Sequence, residues 1–169
     1  MEKFIPYGRQ WIDDSDIKAV SKALKGDFLT TGSLVGEFEQ ALCDYCGAKY
    51  VVAVANGTAA LHLASMVLLQ KGDRVLTTVN SFLATSNAIL YAGATPIFVD
   101  IYEDGNIDLD LCEEYIREDE TITAIYGVAF SGNPLNQEKL KRLRDKYDIK
   151  ILEDTAHAIG SKYDGVKSG

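Results

Sequence analysis

At 169 residues, 47% of them hydrophobic, the chain is long enough to bury a sizeable core and is expected to fold as one globular unit. A formal net charge of −8, with no Lys/Arg cluster beyond the stretch Lys139 to Lys146, argues against nucleic acid and against an anionic membrane surface as partners. Three cysteines supply no disulfide framework, no apolar run is long enough for a bilayer, and Met1-Glu2-Lys3-Phe4 lacks the apolar start of a signal peptide, so the cytoplasm is the expected location.

Residues 1–14, with Ile5-Pro6-Tyr7-Gly8-Arg9-Gln10, are too short and turn-rich for a domain. Asp14-Ser15 offers an N-cap for a helix over about Asp16 to Lys25, with Ile17, Val20, Ala23 and Leu24 at helical spacing and Gly26 as its stop. Phe28-Leu29-Thr30-Thr31-Gly32-Ser33 is a polar loop, either facing a ligand with its hydroxyls or serving as an ordinary connector. A second helix runs from about Leu34 to Tyr45 with Phe38, Leu42 and Tyr45 on one face. Cys43-Asp44-Tyr45-Cys46 spells CxxC, but it closes a helix where a redox motif would open one, and a zinc site would want a second pair. Two half-buried thiols one turn apart are the simpler expectation.

Tyr50-Val51-Val52-Ala53-Val54 is expected as a strand, Ala55-Asn56-Gly57-Thr58 as a tight turn, and Ala59 to Met66 as a helix. Gly57, Thr58 and Ala59 then lie at a helix N-terminus, where free N–H groups and the helix dipole favour a phosphate. With neither GxGxxG nor a P-loop lysine, the turn is not a dinucleotide fingerprint or a Walker A loop. His62 is expected as a packed core histidine. The pattern repeats: strand Arg74 to Thr78, then Phe82, which either caps a core or stacks on a flat ligand, then a helix from about Ala84 to Ala92. Strand Thr95 to Asp100 precedes a helix that Asp108 opens over about Leu109 to Arg117, and strand Ile122 to Val128 leads into Phe130-Ser131-Gly132-Asn133-Pro134. A basic amphipathic helix from about Asn136 to Tyr147, its Lys and Arg read as a solvated face, precedes the strand Ile149 to Asp154. Alternating strands and helices imply an α/β fold with a mainly parallel sheet. Asp154, at the carboxyl end of a covered strand, needs a positive partner, an N-cap role or an ion pair with a nearby Lys or Arg.

Asn56-Gly57-Thr58-Ala59-Ala60-Leu61, Asn80-Ser81-Phe82-Leu83-Ala84-Thr85, Pro96-Ile97-Phe98-Val99-Asp100 and Glu153-Asp154-Thr155-Ala156-His157 occur together in the order and spacing of a family. The chain resembles the amino-terminal part of the DegT/StrS-type nucleotide-sugar aminotransferases, which use pyridoxal 5′-phosphate (PLP) on the aspartate-aminotransferase-like, fold type I architecture. The resemblance implies a three-layer partial large domain over residues 26–169, preceded by a segment and helix over 1–25. It implies that Gly57, Thr58 and Ala59 hold the cofactor phosphate, that Phe82 stacks on the ring, that Asp154 pairs with the ring nitrogen, and that His157 lies near the phenolic oxygen. Tyr7, Thr30 and Thr31 resemble segments that approach the sugar nucleotide. Phe130-Ser131-Gly132-Asn133 and Tyr7-Gly8-Arg9-Gln10 look most like the members that move an amino group from glutamate to the 4-keto carbon of a UDP-linked sugar on the way to pseudaminic acid, as part of cell-surface glycan or lipopolysaccharide synthesis. A cytoplasmic homodimer with sites at the subunit interface is implied as well.

In that family the Schiff-base lysine lies downstream of the Asp-x-x-His motif, past a phosphate-binding serine, and Lys162 and Lys167 do not occupy its position. The resemblance therefore implies that these residues carry the front of a cofactor site without a catalytic residue, that they would not transaminate alone, and that a sheet edge and apolar surface stand exposed. A non-catalytic binding or scaffold subunit is the alternative. A nucleotide-binding domain of another enzyme type, such as a dehydrogenase, is disfavoured by the missing GxGxxG.

Overall fold

Two stretches carry apolar residues toward both faces, and they take the middle of the sheet. In a computed structural model, which describes residues 9–169, β1 (Arg74–Thr78) is buried from Val75 onward, and β3 (Ile122–Val128) is buried everywhere except Thr123. They are flanked by β2 (Thr95–Val99) and β4 (Lys150–Asp154) in a parallel sheet of order β2-β1-β3-β4. A parallel strand must be covered on both sides, and the alternation of its side chains feeds two separate cores.

On one side, Val75, Ala124, Tyr126 and Leu152 pack under α3 (Gly57–Leu68) and α4 (Ala84–Tyr91), which contribute Leu61, Ala84, Ala88 and Ile89. The small residues of α4 let it lie close to the strands. Tyr126 is fully buried, and its hydroxyl donates to Ser65 Oγ on α3 at 3.1 Å, so neither polar atom is left unpaired. On the other side, Leu76, Val99 and Ile125 meet Cys112 and Ile116 of α5 (Leu109–Glu118) and Leu140 and Leu143 of α6 (Gln137–Tyr147). Burial pushes the Cys112 thiol up to about 12, which leaves it an inert core residue. The expected three-layer α/β fold is what the chain adopts.

The basic face of α6 does more than meet solvent. Arg142 and Lys146 donate to Glu113 at 2.6 and 2.9 Å, the Tyr147 hydroxyl reaches the same carboxylate at 3.1 Å, and Lys139 pairs with Asp110. These contacts tie α6 to α5, and the Lys146 hydrogen bond is the largest cause holding the Glu113 carboxyl below its ordinary range.

Elsewhere the structure departs from what the sequence suggests. The cap of α1 (Asp14–Leu24) is Asp13: its carboxylate accepts from Ser15 N at 2.7 Å while Asp16 accepts from Asp13 N at 2.9 Å, a capping box that displaces Asp14-Ser15 from the role. Tyr50 to Val54, expected as a strand, joins no ladder, and Tyr50 and Val52 stand 78% and 76% exposed. Its composition suits a strand, but a strand needs a neighbour, and among the described residues none lies beside it. The stretch is anchored instead by Ala53 N, which donates to Glu39 Oε1 on α2 (Ser33–Cys46) at 2.8 Å. Finally, an unexpected antiparallel hairpin joins β5 (Lys162–Tyr163) to β6 (Val166–Lys167) through Asp164 and Gly165, both at positive φ, as a tight two-residue turn demands. Lys167 places its ammonium 4.9 Å from the ring centroid of Tyr45, which leans the hairpin on α2.

Neither α1 nor α2 buries a residue in the two cores, and Ile17, Val20, Leu24, Leu34, Val35 and Phe38 are exposed. Phe38 and Tyr45, expected on one face of α2, are both more than half exposed. Cys43 and Cys46 are free and half-buried at the end of α2, as their spacing implied. No described helix is long and apolar enough to cross a membrane.

Candidate active site

Parallel strands all end on one side, so the segments leaving β1, β3 and β4 converge there. Asp154 is the last residue of β4, opposite Val128 of β3. Its backbone oxygen accepts from Ala129 N at 3.0 Å, which fixes the strand end. Its carboxylate accepts twice, at Oδ2 from the Thr85 hydroxyl at 2.8 Å and at Oδ1 from Ala156 N at 3.2 Å. Among the described residues no Lys, Arg or His forms an ion pair with it, and no helix follows for it to cap. Of the alternatives open at the level of sequence, the local ion pair and the N-cap both fall away.

The helix N-terminus expected to bind phosphate is that of α3. Asn56 caps it, with Oδ1 accepting from Ala59 N at 2.9 Å. That bond takes the Ala59 amide, one of the groups expected to meet a phosphate, and leaves the Gly57 and Thr58 N–H groups without an acceptor among the described residues. A Cβ on Gly57 would meet nothing within 4 Å, so the approach to these amides is open. Gly57 and Asp154 line one cavity of about 440 Å³, together with Leu61, Thr155, Ala156 and the buried Ser168.

Phe82 follows β1 in the turn before α4 and is 77% exposed, so it caps no core. His157 is exposed on the turn after β4. Its carbonyl oxygen lies where a Cβ on Gly132 would come within 3.0 Å, and Gly132 has φ +85°, so only glycine suits that crossing of the loops after β3 and β4. Ser161 Oγ donates to Gly132 O at 2.7 Å across the same junction. Neither Phe82 nor His157 lines the cavity shared by Gly57 and Asp154. Thr30 and Thr31 are exposed on the loop between α1 and α2, where the Thr31 hydroxyl donates to Thr30 O at 2.7 Å, and they do not reach that cavity. Tyr7 lies outside the described residues. His62, expected in the core, is half-buried with its ring edge-on to Tyr91 at 5.2 Å.

Sequence reasoning did not single out Thr85, Ser81 or Asn56. The last follows the ordinary rule that Asn before a helix caps it. Thr85 meets Asp154 across 69 residues of chain, and nothing local announces such a contact.

The donor set fits a ligand with an anionic end and a cationic ring: open amides at a helix N-terminus, and a carboxylate at the same cavity held by a hydroxyl and an amide but, among the described residues, by no cation.

Comparison with known proteins agrees. The model of the DegT/DnrJ/EryC1/StrS aminotransferase family matches residues 10–169. UDP-4-amino-4,6-dideoxy-N-acetyl-beta-L-altrosamine transaminase of Campylobacter jejuni subsp. jejuni is 46% identical over 166 residues, covering 98% of this chain and 44% of that protein. Helicobacter pylori PseC, an aminotransferase involved in the biosynthesis of pseudoaminic acid, superimposes with a TM-score of 0.92 at 34% identity, over 99% of this chain and 45% of that one. The Escherichia coli GDP-4-keto-6-deoxy-D-mannose-3-dehydratase with bound hydrated PLP gives 0.90 at 28% identity, over 97% and 44%. The chain thus spans less than half the length of each of these relatives.

Proposed function

Because the chain belongs to the DegT/DnrJ/EryC1/StrS aminotransferase family, we propose that it forms the amino-terminal portion of a PLP-dependent enzyme that moves an amino group from glutamate to the 4-keto carbon of a UDP-linked deoxy sugar. What supports the sugar class is the 46% identity to the altrosamine transaminase. The same reading has the enzyme act in the cytoplasm, as a homodimer, in the supply of sugars for cell-surface glycans.

The observation that carries the cofactor reading is Asp154, a strand-end carboxylate with two neutral donors and, among the described residues, no cation. In this proposal its charge keeps a proton on the ring nitrogen, and a low-dielectric setting strengthens that pairing. The Gly57 and Thr58 amides hold the phosphate, Phe82 covers a face of the ring, and His157 stands near the phenolic oxygen. When bound, the protonated ring accepts the electrons released as a proton leaves the substrate carbon. Each of these groups binds, orients or holds a proton; none serves as the amine anchor, a role that neither Lys162 nor Lys167 is proposed to fill.

The test is calorimetric titration of the chain with pyridoxamine 5′-phosphate, beside Asp154→Ala. Loss of the carboxylate partner should weaken binding by about 2 kcal/mol or more, roughly thirtyfold. Equal affinity in the two proteins would remove Asp154 from the site, and saturable NAD binding with none of the pyridoxamine phosphate would move the chain to another class of enzyme.

A further inference from the structure

The geometry points to Thr85 as the positioning residue of the site: through its hydroxyl bond to Asp154 it aims the carboxylate that is to meet the cofactor's ring nitrogen. This rests on the reading of Asp154 given above and adds to it a residue in another element that decides whether the acid is effective.

An ionised carboxylate only accepts, so in the 2.8 Å contact between Thr85 Oγ1 and Asp154 Oδ2 the single hydroxyl proton of Thr85 is committed to the acid. The Thr85 oxygen is then free to accept, and Ser81 Oγ lies 2.8 Å from it with its own proton shared between Thr85 and the Phe82 carbonyl, also at 2.8 Å. Ser81, Phe82 and Thr85 belong to one turn, closed by Thr85 N donating to Phe82 O at 3.3 Å. The turn that displays the exposed Phe82 ring therefore also orients the carboxylate, and the ring-face contact and the ring-nitrogen contact are set by one piece of backbone.

Burial makes this orientation firm. Thr85 is fully buried at the start of α4, flanked by Ala84 and Ala88 of the core, and its β-branched side chain has few rotamers to choose from. Asp154 has much less of its own to hold it. It ends β4, which pairs only with β3 among the described residues, and its second oxygen has one longer bond, 3.2 Å from Ala156 N. With Thr85 removed, the carboxylate keeps its charge but gains freedom to turn, and a charge that must be ordered on binding binds less tightly.

The experiment compares pyridoxamine 5′-phosphate with its 1-deaza analogue, which lacks the ring nitrogen, on the chain and on Thr85→Val and Thr85→Ser, with melting curves for each. The wild-type chain should prefer the ligand with the nitrogen. Thr85→Val should cut that preference about tenfold, the size expected for a lost bond to a charged group, while leaving affinity for the deaza analogue unchanged, and Thr85→Ser should restore it. Equal weakening toward both ligands, or no change toward either, overturns the inference and leaves Thr85 a core residue. If the valine variant does not fold, Thr85→Ala is read by the same ratio, and an unaltered ratio there is likewise fatal. No preference in the wild-type chain would instead remove the reading of Asp154 itself, and the inference with it.

Discussion

Glu153 and Asp154 are adjacent on β4 and face opposite sides of the sheet, so their surroundings diverge. Burial pushes the Glu153 carboxyl above its ordinary value of 4.5, and the Gln137 amide, donating to Oε2 at 2.7 Å, only partly offsets this. An acid whose pKa is raised on folding holds more protons in the folded chain than in the unfolded one. Stability then falls as pH rises from 4.5 toward the folded pKa. Glu113 has the opposite sign: its pKa is lowered, so its contribution is present above 4.5 and is lost as pH falls through the folded value. Glu153→Gln should remove the first slope while keeping the hydrogen bond. Its melting temperature should therefore gain on wild type as pH rises above 4.5, and a gap that stays constant with pH would show that Glu153 is solvated after all. At this scale the site was half legible. Asp154 could be picked out as a candidate because a charge closing an apolar strand is conspicuous in sequence. Thr85 could not, because a hydroxyl in the first turn of a helix looks like any other until the fold lays it against an acid from a distant strand.

At the scale of elements, legibility followed burial. β3 spans Ile122–Val128 as its apolar run foretold, since a strand between two parallel neighbours has to be apolar on both faces. Asp108 and Gly47 bound α5 and α2 as capping chemistry requires, the latter in the left-handed conformation. Errors fell where tertiary context decides. The run Tyr50 to Val54 has the residues of a strand, but hydrogen bonding in a sheet is a property of pairs, and one segment's composition says nothing about the neighbour. The basic residues of α6, read as a solvated face, are exposed at Lys141, Arg142, Arg144 and Lys146, but their bonds to Glu113 and Asp110 of α5 depend on how two helices pack, which one helix alone does not announce. The hairpin β5–β6 was announced only by Asp164-Gly165, with strands too short to show alternation.

Across the whole molecule, two filled cores sit on the sheet, while α1 and α2 carry their apolar residues outward. Exposed apolar area on this scale favours association, and it is what supports the proposed homodimer. Light scattering should give a mass rising toward twice that of one chain with concentration, and a single-chain mass at every concentration would count against it. The unpaired stretch before α3 has a consequence that shape alone does not reveal. Amide protons in β3, hidden between two strands, should exchange with deuterium only when the sheet opens, whereas Val51, Val52 and Val54 have no acceptor among the described residues. Ala53 alone is tethered, to Glu39, so a plot of exchange rate along the stretch should show one slow amide among fast ones, and Glu39→Ala should erase it.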